Sequence, residues 1–120
     1  MIKAYLLTTG TDGHSHVQSG QVTDSVFTHA ESVRFQETAP HTFFDWHTAP
    51  ANQYVICLSG TLQFTTFIAE QFTLHPGEVL VAMDTTGSGH QWQMLGNDPW
   101  RRVYVLFDAT QPINFTPDTF

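Results

Sequence analysis

The sequence predicts an all-β domain, and three observations carry that prediction. Eight Gly and six Pro residues punctuate the 120 positions, so few windows run beyond about a dozen residues without a helix breaker. Thr, Val, Phe and Tyr dominate the apolar runs, as expected of strands and not of helices. Those runs are short and recur with turn signals between them, the pattern of a β-sandwich or small barrel.

Taken in order, strands are expected near 2–8, 30–35, 41–47, 53–58, 61–68, 79–83, 90–94 and 102–107. Residues 9–25, rich in Gly, Ser, Thr and Asp, read as a loop or a weak strand. Ser59-Gly60 separates two apolar runs and reads as a tight hairpin. Leu74-His75-Pro76-Gly77-Glu78 reads as a turn, with proline fixing φ and glycine supplying the freer backbone. One domain spans 1–120: a barrel core over about 28–108, an N-terminal strand and loop over 1–27, and a loosely attached tail over 109–120.

Composition narrows the function. Four Lys+Arg against eleven Asp+Glu leave a net charge of −7, which argues against nucleic acid and anionic membrane as partners. With 41% hydrophobic and 13% aromatic residues, the chain has ample apolar surface to bury, so disorder is not expected. The single cysteine, Cys57, forms no internal disulfide and demands no oxidising compartment. Neither a signal-peptide run nor a membrane-span run is visible, so a cytoplasmic protein is expected.

Period-two alternation assigns faces to the strands that carry chemistry. Gln53 shares a face with Val55 and Cys57; His90 shares one with Trp92 and Met94. His47 is expected on the face of His41, Phe43 and Asp45.

The central segment reads Trp46-His47-Thr48-Ala49-Pro50-Ala51-Asn52-Gln53, and further on Asp84-Thr85-Thr86-Gly87-Ser88-Gly89-His90. Over about residues 5–108 the chain resembles the cupins, and among them small single-domain bacterial members with W-H-x-A-P…Q and D-T-T-G-x-G-H motifs. His47 falls in the place of the first cupin histidine, Gln53 in that of the glutamate, and His90 in that of the second motif's histidine. Ala49 takes the place of the first motif's second histidine, and Ser88 that of a lysine frequent between the subgroup's glycines. The resemblance implies a single-domain jelly-roll barrel, a double-stranded β-helix, and a homodimer. It also implies small-molecule chemistry in the barrel cavity: oxygenase, isomerase, epimerase, decarboxylase or lyase.

Two readings of His47, Gln53 and His90 stay open. They ligate a divalent transition metal (Zn, Fe, Ni or Mn), imidazole nitrogens suiting all of these. Alternatively they form a hydrogen-bonded polar cluster without metal. No nucleotide or organic cofactor is implied. Without metal, His47 and His90 are the candidate base and acid on a small carbonyl or carboxylate compound. Asp84 either joins them or caps its own turn. Trp92, Tyr54, Gln53 and Cys57 are candidate ligand contacts, although buried cysteine is usually a small hydrophobe. Asp45 is either a partner fixing the tautomer of His47 or an exposed edge residue. His14 and His16 are weaker metal candidates in an exposed Asp- and Gly-rich loop, and His29, His41 and His75 read as structural or surface residues. The Arg101-Arg102 pair reads as a solvated strand start, with an anion-binding role as the alternative. A catalytic cupin, a non-catalytic small-molecule binder and a dimerisation unit are the three function classes.

Overall fold

A computed structural model describes residues 1–119. Among these the chain forms β1 (Ile2–Thr9), β2 (Ser15–Val22), β3 (Ser32–Thr38), β4 (Phe43–His47), β5 (Gln53–Ser59) and β6 (Thr61–Thr66). It continues through β7 (Gln71–Leu74), β8 (Val79–Ala82), β9 (His90–Leu95), β10 (Trp100–Leu106) and β11 (Thr116–Pro117). A seven-stranded sheet has the order β11-β2-β1-β8-β5-β10-β3, and a four-stranded sheet the order β4-β9-β6-β7. Facing each other, the two form the double-sheet jelly roll expected of a cupin. No helix long and apolar enough to cross a membrane is present among the described residues.

Alternation explains the layers. In β6 the inward positions are Leu62, Phe64 and Thr66, all buried, while Thr61, Gln63 and Thr65 are partly exposed. Leu62 and Phe64 meet Leu7, Val55, Leu80 and Trp100 of the larger sheet in the central core. Burying a Leu or Phe side chain of this kind contributes roughly 1.5–3 kcal/mol. Strands β5 and β8 are apolar on both faces because a second cluster covers the outside of the larger sheet. Ala4, Leu6, Tyr54, Val79, Val81 and Phe107 form it, with Ile113 and Phe115 packed on top.

Four features differ from the sequence expectation. Residues 15–22 are a full strand, paired with β1 from Ile2↔Val22 to Thr9↔Ser15, so the sheet begins well before residue 28. This strand is held by its backbone ladder, and its polar sequence carries no apolar alternation to reveal it. Ser59-Gly60 is not a hairpin: β5 and β6 lie in different sheets, and the chain crosses between them there. Gly60 adopts φ +86° and packs so tightly that an added Cβ would lie 2.9 Å from the Pro99 carbonyl oxygen. The strand expected over 61–68 ends at Thr66, where Phe67–Glu70 turns into the unexpected β7. The tail is docked, with Thr116 paired to Gln21 and Phe115 in the outer cluster. The Leu74–Glu78 segment is the turn expected, closed by the Glu78 N–H donating to the His75 carbonyl at 3.1 Å.

Candidate functional site

A cavity of about 280 Å³ opens between the sheets at the β3 and β4 side. Strand β4 enters it through a bulge. Phe44 pairs with Trp92 and His47 pairs with His90, so three steps along β4 match two along β9. The bulge breaks the expected parity: His47 shares the cavity wall with Thr42 and Phe44, not with Phe43 and Asp45. On β9 the parity holds, and His90 and Trp92 both line the cavity.

The two imidazoles meet with ring centroids 4.5 Å apart and planes at 63°. Each has its Nδ1 tied down. The Nδ1–H of His47 donates to the Asp45 carbonyl oxygen at 2.7 Å. The Nδ1–H of His90 donates to Oδ2 of Asp84 at 2.6 Å. These bonds assign both tautomers and leave Nε2 of each ring as the nitrogen available to a ligand. Asp45 therefore serves His47 through its backbone; its carboxylate accepts the Trp46 N–H instead.

Asp84 lies behind His90, fully buried and off the cavity surface. Its Oδ2 also accepts the hydroxyl of Ser15 at 2.6 Å, so a buried Ser15–Asp84–His90 chain runs from β2 to the cavity wall. Its Oδ1 has no hydrogen-bond partner among the described residues. The turn that carries Asp84 is clamped on both sides. The Ser88 N–H donates to the Gly13 carbonyl at 2.9 Å, and Ser88 Oγ shares a 2.9 Å bond with Nδ1 of His14. Gly89, at φ +74°, packs directly on the His47 carbonyl, where a Cβ would collide.

Burial lowers the pKa of His47 below its ordinary value; the hydrogen bond to Asp45 acts the other way and is outweighed. His47 is therefore neutral at pH 7, with a bare Nε2. Gln53 lines the cavity and its side chain makes no hydrogen bond among the described residues.

Other expected site residues lie elsewhere. Tyr54 faces the outer cluster, its ring 4.7 Å from Phe107 and its hydroxyl accepting the Asn114 N–H at 2.8 Å. The odd-even step along β5 that turns Gln53 inward turns Tyr54 outward. Cys57 shares the inward face but lies beyond the cavity wall, its thiol donating to the Gly60 carbonyl at 3.4 Å. Burial pushes that thiol up, away from the reactive thiolate. His16 pairs with Asp12 at 2.8 Å outside the cavity, and His14 stacks on Phe67.

The Arg101-Arg102 pair splits. Arg101 is exposed and bonded to Glu37, whereas Arg102 is 3% exposed and lines the cavity, contrary to a solvated strand start. Arg34 and Tyr104, which the sequence reading missed, line it too. The signal was the alternation Trp100, Arg102, Tyr104 along β10, a guanidinium between two aromatic residues on one face.

The resemblance to cupins implies a metal at His47, Gln53 and His90. No group of three or more His, Cys, Asp or Glu gathers at metal-holding distance among the described residues. Ala49, where a second histidine would stand, is buried at 3% exposure. The cavity wall has no carboxylate, and two guanidinium groups share it. Two imidazoles and an amide offer a dication no anionic ligand, in a cavity that two guanidinium groups also line. These residues do not fit a resident transition metal.

No family model and no curated protein matches the chain. Among solved structures, it is similar to a conserved protein of unknown function from Streptococcus pyogenes, with TM-score 0.44 and 16% identity. That match covers 63% of this chain and 63% of the streptococcal one, so the chain spans less than two thirds of its length. A protein assigned to ethanolamine utilization (protein Q) from Salmonella typhimurium gives TM-score 0.46 and 16% identity, covering 91% of this chain and 98% of that one. Likeness at this level says nothing of activity.

Proposed function

We propose that the chain is a small-molecule cupin enzyme that moves a proton on a small carbonyl or carboxylate compound, in the manner of an isomerase or lyase. The W-H-x-A-P…Q and D-T-T-G-x-G-H motifs support its placement among small single-domain cupins. One observation carries the chemical reading: two facing imidazoles, each anchored at Nδ1, with Nε2 left for the cavity. His47, kept neutral by burial, takes the proton from the carbon next to a carbonyl. His90, in its protonated form, gives a proton to the carbonyl oxygen, and the Asp84 carboxylate offsets the charge it carries. Return of a proton from His47 to the same α-carbon, on either face, with the oxygen's proton going back to His90, restores the carbonyl and exchanges or epimerises that carbon with every atom conserved. Phe44, Phe64 and Trp92 wall the site and limit water.

The test is proton–deuterium exchange at the α-carbon of 2-oxobutanoate and phenylpyruvate in D2O, followed by proton NMR. The wild type is expected to accelerate exchange, with His47→Gln and His90→Gln each losing it while keeping the thermal transition. A second reading, a binder without turnover, is favoured by Ala49 and by the unpartnered Gln53 amide. Ligand-induced stabilisation without any exchange would establish that reading instead.

A further inference from the structure

The β3–β10 ladder sets three cross-strand pairs on the cavity wall: Trp100 opposite Thr38, Arg102 opposite Gln36, and Tyr104 opposite Arg34. Arg102 is almost fully buried, with its Cζ 3.7 Å from the Trp100 ring centroid. Its Nε donates to the Tyr104 hydroxyl at 3.1 Å, and its Nη1 to Thr38 Oγ1 at 2.6 Å and the Trp100 carbonyl at 3.1 Å. A guanidinium has five N–H donors, and the two on Nη2 have no acceptor among the described residues. Nη2 is not sealed off in the protein, and Arg102 is one of the residues that line the cavity.

Arg34 brings a second charge to the same place. Its Cζ lies 4.7 Å from the Tyr104 ring centroid, and that of Arg102 lies 5.4 Å from the same centroid. Neither arginine has a carboxylate partner within ion-pair distance among the described residues, and no Asp or Glu lines the cavity. Two of the four basic residues in a chain of net charge −7 thus converge on one ring without a counter-charge. A purely structural Arg102 accounts for the stacking on Trp100 and for the Nε and Nη1 bonds. It does not account for the free Nη2, nor for a second cation placed beside it, which costs electrostatic energy until an anion arrives.

We propose that Arg102 and Arg34 form a carboxylate-binding subsite at the β3–β10 side of the cavity, so that the ligand is a small organic carboxylate with an apolar body. The planar fork of a guanidinium matches a carboxylate, and the aromatic walls accept the rest of the molecule. This deepens the reading of the cavity as a small-molecule site and rests on it. It narrows the substrate from carbonyl or carboxylate compounds to acids, with the reacting carbon held between the carboxylate end and the two histidines.

The experiment titrates benzoate and its neutral isostere benzamide onto the full chain, read by the fluorescence of Trp92 and Trp100 in the wall. Benzoate is expected to bind about tenfold more tightly than benzamide, as charge-assisted bonds require. Arg34→Gln, which removes a charge at an exposed position, is expected to raise the benzoate Kd about fivefold and leave that of benzamide unchanged. Arg102→Gln is expected to raise it further, and if that variant fails to fold, Arg34→Gln and the benzoate–benzamide ratio still decide. Equal affinities, an unaltered Arg34→Gln Kd, or no benzoate binding would overturn the subsite. Benzamide binding without preference for benzoate would sink the anion subsite while leaving the cavity a ligand site. The deuterium-exchange result separately decides the catalytic reading.

Discussion

His47 and His90 are paired directly across the β4–β9 ladder, and a bulge in β4 is what brings them together. An unbroken ladder continuing from Phe44↔Trp92 would have set Trp46 opposite His90. The extra residue turns His47 inward and Trp46 out to 41% exposure. Proton transfer between paired groups needs this proximity, because each imidazole must reach the same small molecule.

Asp84 is expected to matter through its charge and its acceptor oxygen. Asp84→Asn removes the negative charge that offsets protonated His90, which disfavours the acid form of that ring. We expect kcat for exchange to fall about 10²-fold or more. Asp84→Ala leaves two buried donors, Ser15 Oγ and His90 Nδ1, without their acceptor, and is expected to cost about 2–4 kcal/mol in urea unfolding. An Asp84→Asn enzyme with unchanged kcat would remove Asp84 from the chemistry.

The lowered pKa of His47 gives a pH signature with a definite sign. Its unfolded form takes up a proton near pH 6.5, while the folded form resists until lower pH. Its stability contribution is therefore complete above pH 6.5 and is lost as pH falls through the window below that value. His16, raised chiefly by its hydrogen bond to Asp12, acts in the opposite sense and above pH 6.5, so the two windows separate. NMR titration of the imidazole Cε1–H signals should place the His47 midpoint below 6.5. A midpoint at or above it would contradict a neutral base.

Gly89 and Gly77 make a matched pair for the packing of the site. Both have positive φ, but only at Gly89 would a Cβ collide with a backbone carbonyl, that of His47. Gly77→Ala is expected to cost about 1 kcal/mol and Gly89→Ala about 3 kcal/mol or more. Equal losses in denaturant unfolding would mean that the Gly89–His47 contact is not tight.

Cys57 is expected to be inert. Iodoacetamide at pH 8 should leave the native thiol unmodified and label it once the chain is unfolded, because burial raises its pKa. Cys57→Ala should retain exchange activity, at a cost of about 1–2 kcal/mol in stability. Loss of activity at unchanged stability would return Cys57 to the site.

Much of this was legible in the residues, and the failures have physical causes. The alternation of His90, Trp92 and Met94 placed β9 correctly, and Gln53 and Val55 placed the start of β5. The same rule failed at His47 because it assumes an unbroken ladder, and the bulge adds a residue that composition does not announce. Strand β2 read only as a loop or a weak strand because its pairing is made by backbone groups, so the bond of Ser15 to Asp84 stayed hidden. Sequence alone left Asp84 between a turn cap and a partner of His90; its burial and its 2.6 Å bond join it to His90. Arg34 escaped notice. The Arg101-Arg102 doublet reads as solvated, with anion binding as the alternative, because such a doublet at a strand start ordinarily is, whereas alternation along β10 sends Arg101 out and Arg102 in.

The most direct measurement is deuterium exchange catalysed by tag-free protein stripped with chelator, with elemental analysis of the same sample. Exchange that survives stripping, at a metal content far below one ion per chain, and that disappears in a His47→Gln/His90→Gln double variant is the predicted result. Exchange that vanishes on stripping and returns with added Zn, Fe, Ni or Mn would contradict acid–base chemistry by the two histidines alone.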